Sequence, residues 1–410
     1  MNILQNRTRP KKTSQQNPMI YRTLPFQLFV LLLFFVTVSV SSAIAQDTYY
    51  PPTGLGHDWS EKSPQELGFD ASALDEIVQF ALQNENSVEK DLRIAILKGF
   101  SHEPYHYLAG PVKERGGPAG MIIKDGHIAS KWGNLTRVDM TFSVTKSYLS
   151  AVAGVAWDKG LIHSTDDKMA KYVWDRTFDG EHNSKITWEH LLNQSSDWSG
   201  TLFGMEDWGD RPPREGDVDD WRMRELHEPG THYKYNDVRV NLLAYSLLQV
   251  WRNPLPQVLK NEIMNPIGAS TTWRWFGYDN SFVMVDGIEM QSVSGGGHNG
   301  GGLFISTYDH ARFGLLFARN GVWNDQQIIS PEWIDKSVAP STANSRYGYL
   351  WWLQDDENNW EGVPDHVYYA AGFGGNFIVV DDQNDLVIVI RWIDSSKIGD
   401  FVSKVYQAME

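Results

Sequence analysis

Strand-forming patterns stand at both ends of this chain and helix-forming patterns lie between them, so a sheet that gathers the strands has to close across the length of the sequence. From Met121 to Trp132 two short apolar runs flank Asp125-Gly126, the kind of pair a two-residue hairpin turn demands because both central residues need positive φ. Near the far end, Phe377 to Val380 and Leu386 to Trp392 flank the turn residues Asp381, Asp382, Gln383, Asn384 and Asp385, which predicts a second hairpin. Gly68-Phe69-Asp70 opens a helical pattern in which Leu74, Ile77, Val78 and Ala81 share one face, with Asp70 or Ser72 suited to capping. Ser396 to Ala408 is again helical. The expected class is α/β (α+β): an antiparallel sheet lobe (about 68–157 and 290–410) flanked by helices, with a helical lobe (about 158–290) inserted.

The 410 residues are 41% hydrophobic and include no cysteine, so a large core can form without disulfides or thiolate-bound metal. The first 45 residues read as an address. Arg7, Arg9, Lys11, Lys12 and Arg22 precede an apolar run from Leu28 to Val40, and Ala43-Ile44-Ala45 supplies the small-x-small cleavage pattern. A membrane helix needs about 20 apolar residues, and this run is shorter, so a cleaved signal peptide (1–45) is expected, starting at Met1 or Met19. The protein is then periplasmic or secreted and meets the membrane only transiently, during export. Cleavage removes five basic and no acidic residues from a chain whose formal charge is already -15. Such a surface repels phosphate backbones, which argues against a nucleic-acid partner.

The chemistry is expected at Phe142-Ser143-Val144-Thr145-Lys146-Ser147, which leads into an apolar helical stripe of Tyr148, Leu149, Val152, Ala153 and Ala156. Ser143 falls in the first turn, and a spacing of three puts Lys146 on the same face one turn on. An amine buried in an apolar cleft has a lowered pKa and can take the serine proton, while the helix N-terminus offers unpaired N–H groups to an oxyanion. The spacing alone is weak: Ser87-Val88-Glu89-Lys90 repeats it in a polar loop with no apolar helix behind it.

Further elements follow in order. Pro229-Gly230-Thr231-His232-Tyr233-Lys234-Tyr235-Asn236-Asp237 heads an apolar helix, and Ala370-Ala371-Gly372-Phe373-Gly374-Gly375 leads into the final hairpin. With Ile186 to Ser196 and Gly301 to Asp309 between them, these stretches resemble the Ser-x-x-Lys, Tyr-x-Asn and Lys-Thr-Gly or His-x-Gly elements of the β-lactamase-related serine hydrolases. The resemblance runs from about Asp70 to the C-terminus and is nearest the class C β-lactamase, esterase and nylon-oligomer (6-aminohexanoate-dimer) hydrolase branch. It implies a β-lactamase/transpeptidase-like fold and an acyl-enzyme on Ser143, with Lys146 and Tyr235 as the proton-transfer pair and the backbone N–H groups of Ser143 and Phe373 as oxyanion hole. It implies a small-molecule ester or amide as substrate and no cofactor. A neighbouring ammonium favours a Tyr235 phenolate.

Two positions depart from the pattern. Asp237 stands where the family has a neutral Asn, and Ala370 where it has Lys or His; both changes oppose or remove positive charge where a substrate carboxylate is held, so an uncharged or cationic substrate is expected. An Asp237 near Lys146 favours the ammonium unless it turns away or pairs with Arg239, and Tyr235 then carries more of the proton transfer. Asp237, Ala370, Gly372 and His298 are therefore candidate substrate contacts. His102-Glu103-Pro104-Tyr105-His106 matches a zinc-protease pattern, but Pro104 and the nearby Gly110-Pro111 break the helix it needs, so no metal site is expected. Gly295-Gly296-Gly297-His298-Asn299-Gly300 lacks the βαβ context of a dinucleotide loop. The rival reading is a catalytically silent binding or sensor protein, against which the joint presence of Ser143, Lys146 and Tyr235 argues.

Overall fold

The computed structural model describes residues 48–355 and 359–409; the expected signal peptide lies outside the described residues. Six strands, β1 (Ala119–Lys124), β2 (His127–Trp132), β7 (Trp352–Leu353), β8 (Tyr368–Gly372), β9 (Asn376–Asp381) and β10 (Leu386–Arg391), form one antiparallel sheet in the order β7-β8-β9-β10-β1-β2. The closure across the chain is made by β1 against β10, with Ala119 opposite Arg391 and Lys124 opposite Leu386. Asp125 and Gly126 adopt φ of 53° and 77°, the twin positive values of the turn their sequence demands.

The central strands are apolar along their whole length because both faces are covered. Met121, Ile123, Ile378, Val380, Val387 and Val389 face one core; Ile122, Val379, Ile388 and Ile390 face the other. The second core is closed by α1 (Ala71–Gln83), capped by Asp70 through Ser72 and Ala73, and by α6 (Ile398–Gln407). On the first face lie α3 (Val144–Asp158) and α5 (Thr307–Ala318), with α4 (Asp237–Trp251) behind α3. A short helix, α2 (Leu92–Phe100), packs separately against Met140, Phe142 and Trp392.

At the end of the stretch expected to form a helical lobe (about 158–290), the structure has long strands. β4 (Arg274–Val285) and β5 (Ile288–Val293) join β3 (Asp139–Met140) and β6 (Gly302–Ile305) in a second antiparallel sheet, ordered β3-β6-β4-β5. Its β3 ends at Met140, three residues before Ser143, so this sheet sets where the nucleophile's turn begins.

Helix α3 is buried from Val144 to Ala156. Such a helix tolerates no spare volume. A Cβ on Gly154 would lie 2.4 Å from Cδ1 of the fully buried Trp333. Gly154→Ala is expected to lower stability by about 1–3 kcal/mol through overpacking, despite alanine's better helix propensity. Chemical denaturation measures it; a neutral or stabilising result would show that Trp333 can move aside.

Candidate active site

The chain turns sharply out of β3 into α3, and Phe142 pays the conformational cost with a φ of 49°. Ser143 occupies the N-cap position, yet its side chain makes no capping bond. Its Oγ instead accepts a hydrogen bond from the Lys146 ammonium at 2.9 Å. Lys146 is buried, 1% exposed, and also donates to the Gly295 carbonyl at 3.3 Å.

Tyr235 is delivered by a clamped loop. Asn236 caps α4 by accepting from Arg239 N–H at 3.0 Å and donates to the Asp207 carbonyl at 2.8 Å. Gln194, from the stretch between the first two elements, accepts from Asn236 N–H at 2.7 Å. The Tyr235 ring lies 5.0 Å from Lys146 Nζ and 5.0 Å from Arg211 Cζ, with Trp352 stacked beside it at 5.9 Å.

Strand β8 closes the site from the other side. A Cβ on Gly372 would sit 2.2 Å from Thr141 O and 3.3 Å from Ser143 N, so only glycine lets the strand end reach the nucleophile's backbone. Gly372 and Phe373 therefore line the same cleft as Ser143, a space of about 470 Å³ walled by Phe100, Tyr235, Trp352, Trp360, Tyr369 and Phe373.

Beneath the cleft is an ion-pair network. Asp237 Oδ1 lies 2.7 Å from Lys146 Nζ and its Oδ2 2.8 Å from Arg211 Nη1. Burial opposes the Asp237 carboxylate, but Arg211, Lys146 and His298 hold its pKa well below the usual range, and its place in the first turn of α4 adds to this. For Lys146 burial likewise opposes the charge, yet Asp237 and, after it, Tyr235 outweigh it and hold the amine above the ordinary lysine value. The expectation of a neutral lysine base is thereby corrected: an amine beside a buried carboxylate at 2.7 Å is an ammonium. Arg239 does not pair with Asp237; its guanidinium binds Asp197 and Asp207 at 2.7 and 2.8 Å.

The profile of the family described as Beta-lactamase matches residues 110–401. The chain belongs to the beta-lactamase family. An uncharacterized protein of Alkalihalophilus pseudofirmus is 23% identical over 267 residues, covering 60% of this chain and 71% of that one. Among solved structures, EstCE1, a hydrolase with promiscuous acyltransferase activity, superposes with a TM-score of 0.54 at 15% identity, covering 82% of this chain and 98% of that one. A family VIII carboxylesterase does so with a TM-score of 0.52 at 16% identity, covering 79% and 98%. At these identities the structural likeness is one of fold.

Within this beta-lactamase-family fold, Ser143, Lys146, Tyr235, Gly372 and Phe373 come together, and three candidate contacts do not reach the cleft. Ala370 is 1% exposed and packs in the core under α3; strand alternation sends Ala371 into the cleft instead. Asp237 is 2% exposed and acts from below, through Lys146 and Arg211. His298, 3% exposed, stacks on Phe100 at 4.1 Å, with Nε2 3.3 Å from Glu103 and Nδ1 3.5 Å from Asp237.

Glu103, Asp210 and His298 present ligand-type atoms within 4.8 Å of one another, the spacing a metal needs. Their side chains are already engaged: Asp210 binds Arg211 and accepts from Asp237 N–H, and Glu103 accepts from Arg211 N–H. The segment from His102 to His106 is a series of turns, as Pro104 required, and the Glu103 carboxyl points inward and serves this network. Burial shifts the Glu103 pKa upward.

Arg211 was not foreseen. It sits in a loop, Asp210-Arg211-Pro212-Pro213, whose local pattern carries no periodicity or motif. Phe100 and Trp360 were likewise invisible. Trp352, Tyr369 and Phe373, close in sequence to the Ala370–Gly375 element, wall the cleft, whereas Trp351 is fully buried against Phe317.

Proposed function

We propose that this protein is an exported serine hydrolase that cleaves a carboxylic ester or amide through an acyl-enzyme on Ser143. The observation that carries the reading is the Lys146-to-Ser143 hydrogen bond of 2.9 Å at the floor of an aromatic cleft. Because Lys146 is held as an ammonium by Asp237, it has no lone pair for the serine proton. Tyr235 is the remaining base beside it. The step starts from the Tyr235 phenolate between the two flanking cations: its oxygen takes the Ser143 proton as Oγ bonds to the substrate carbonyl carbon, and the tyrosine becomes a neutral phenol. Lys146 orients Oγ, and the N–H groups of Ser143 and Phe373 receive the tetrahedral oxyanion. Tyr235 then passes the proton to the leaving alcohol or amine as its bond to the carbonyl carbon breaks. Water repeats the sequence: it loses a proton to Tyr235, attacks the acyl carbon and releases the acid, and Ser143 regains its proton.

The test is a hydrolysis panel of short-chain aryl esters, ω-amino-acid amides, D-amino-acid peptides and nitrocefin, run beside Ser143→Ala and Tyr235→Phe. The neutral aryl esters are expected to turn over. Tyr235→Phe keeps the ring between its cations and removes the acid–base oxygen, so kcat is expected to fall about 10²–10⁴-fold. A Phe variant of near-native kcat would return the base role to Lys146. No turnover in the whole panel would favour a silent binding protein.

Export is part of the same proposal and is supported by the basic, apolar and small-residue succession before Gln46. Intact mass and N-terminal sequencing of protein from its native compartment are expected to show Gln46 as the first residue. A mature chain that keeps Leu28 to Val40 would refute this.

A further inference from the structure

The cleft beside Ser143 is walled by aromatic rings, and among its described lining residues Arg211 is the one cation. Its bonding is lopsided. Nη1 makes all the side-chain contacts found among the described residues, 2.9 Å to each Asp210 oxygen and 2.8 Å to Asp237 Oδ2. Nε and Nη2 have no partner among the described residues, and the side chain is 29% exposed. Nε–H and Nη2–H point the same way from one edge of the guanidinium, the edge that grips a carboxylate through two parallel hydrogen bonds.

The arginine is also held in place at a cost. Its φ is 47°, a conformation disfavoured for any side chain with a Cβ. It persists because its own N–H donates to Glu103 at 3.1 Å and Asp210 accepts from the Asp237 N–H at 2.7 Å. The Tyr235 ring lies against the guanidinium, 5.0 Å from Cζ, which leaves the edges as the places to bind. A strained, clamped loop whose arginine lines the nucleophile's cleft with one bidentate edge unpartnered among the described residues is a built binding feature.

We propose that Arg211 anchors a carboxylate of the substrate, so that the ester or amide cleaved at Ser143 carries a free carboxylate. This rests on the reading of Ser143 as nucleophile. It replaces the expectation of an uncharged or cationic substrate, which followed from Ala370 and an Asp237 facing the cleft; Asp237 lies beneath it, and the cation missing from the strand comes from a loop. Lys146 and Arg211 balance Asp237 and Asp210, and the Tyr235 phenolate adds a negative charge, so the anion is retained by directed hydrogen bonds more than by net charge, and the preference is of modest size.

The experiment compares 4-nitrophenyl half-esters of linear dicarboxylic acids, from succinate through suberate, with analogues whose terminal carboxylate is a carboxamide. At the best chain length the wild type is expected to favour the carboxylate in kcat/KM by about tenfold or more, the worth of a charge-assisted hydrogen bond. Arg211→Gln is expected to bring the ratio to about one or below. Arg211→Lys is expected to keep part of it, because an ammonium supplies charge without the fork. A wild-type ratio at or below one at every length, with Ser143 labelled by a fluorophosphonate, would overturn the anchor and leave the nucleophile standing. An unchanged ratio in folded Arg211→Gln would do the same. If Ser143 takes no label and neither series is cleaved, the serine-hydrolase reading falls and the anchor with it. Should both variants misfold, the wild-type ratio still decides.

Discussion

Ser143→Ala and Lys146→Ala are each expected to lower ester turnover by about 10³–10⁶-fold, and the double variant to lose little more than either alone, because the two residues act as a unit. Removing Oγ deletes the bond-forming atom. Removing the lysine leaves Oγ without the donor that orients it at 2.9 Å, strips Asp237 of one of its two cations and takes a charge from beside Tyr235. A fluorophosphonate probe is expected to label Ser143 in the wild type, and EDTA to leave activity unchanged. Labelling of another serine, or activity lost to EDTA and restored by zinc, would move the chemistry elsewhere. Near-native turnover in a folded Lys146→Ala would show that the ammonium is dispensable.

Asp237→Asn is expected to destabilise the fold by about 3–5 kcal/mol at neutral pH, the usual cost of removing one member of a buried ion pair. The carboxylate and Lys146 are each 2% exposed, so water cannot replace the lost partner. The pH dependence gives a second reading. The folded pKa of Asp237 lies well below the ordinary 3.8, so its contribution is present above that value and is lost as pH falls toward the folded one. The folded pKa of Lys146 lies above the ordinary 10.5, so its contribution is present below that value and is lost as pH rises through the folded one. The wild type is therefore expected to hold a plateau across neutral pH and to weaken in acid. Asp237→Asn should start lower and decline less steeply in acid. Denaturant midpoints at pH 7 and in the acid range test both; a loss under about 1 kcal/mol with an unchanged acid profile would mean that the pair is open to water.

The same network explains why some of the site could be read from the residues and some could not. The turn at Asp125-Gly126, the capping of α1 by Asp70 and the Ser143–Lys146 spacing depend on groups within a few residues of each other, and local periodicity reports such arrangements directly. The long strand β4 falls inside the stretch where a helical lobe is expected (about 158–290), and β5 straddles its end. Their burial is irregular: Arg274, Phe276, Asp279 and Asn280 are exposed, and Ser281 and Tyr278 bond across a register shift, so no clean alternation marks them.

What this sequence determined by itself was the inventory and order of its parts: a serine and a lysine one helical turn apart, a tyrosine heading a second helix, a glycine strand before the last hairpin. Tertiary structure decided their states. Lys146 is an ammonium because folding buries the Asp237 carboxylate 2.7 Å away; position 370 is core and not cleft because β8 alternates; and Arg211 joins the site because Glu103, Asp210 and Asp237 converge on its loop from distant segments. Charge state and facing depend on what surrounds a group in three dimensions, and neighbours in sequence do not carry that information.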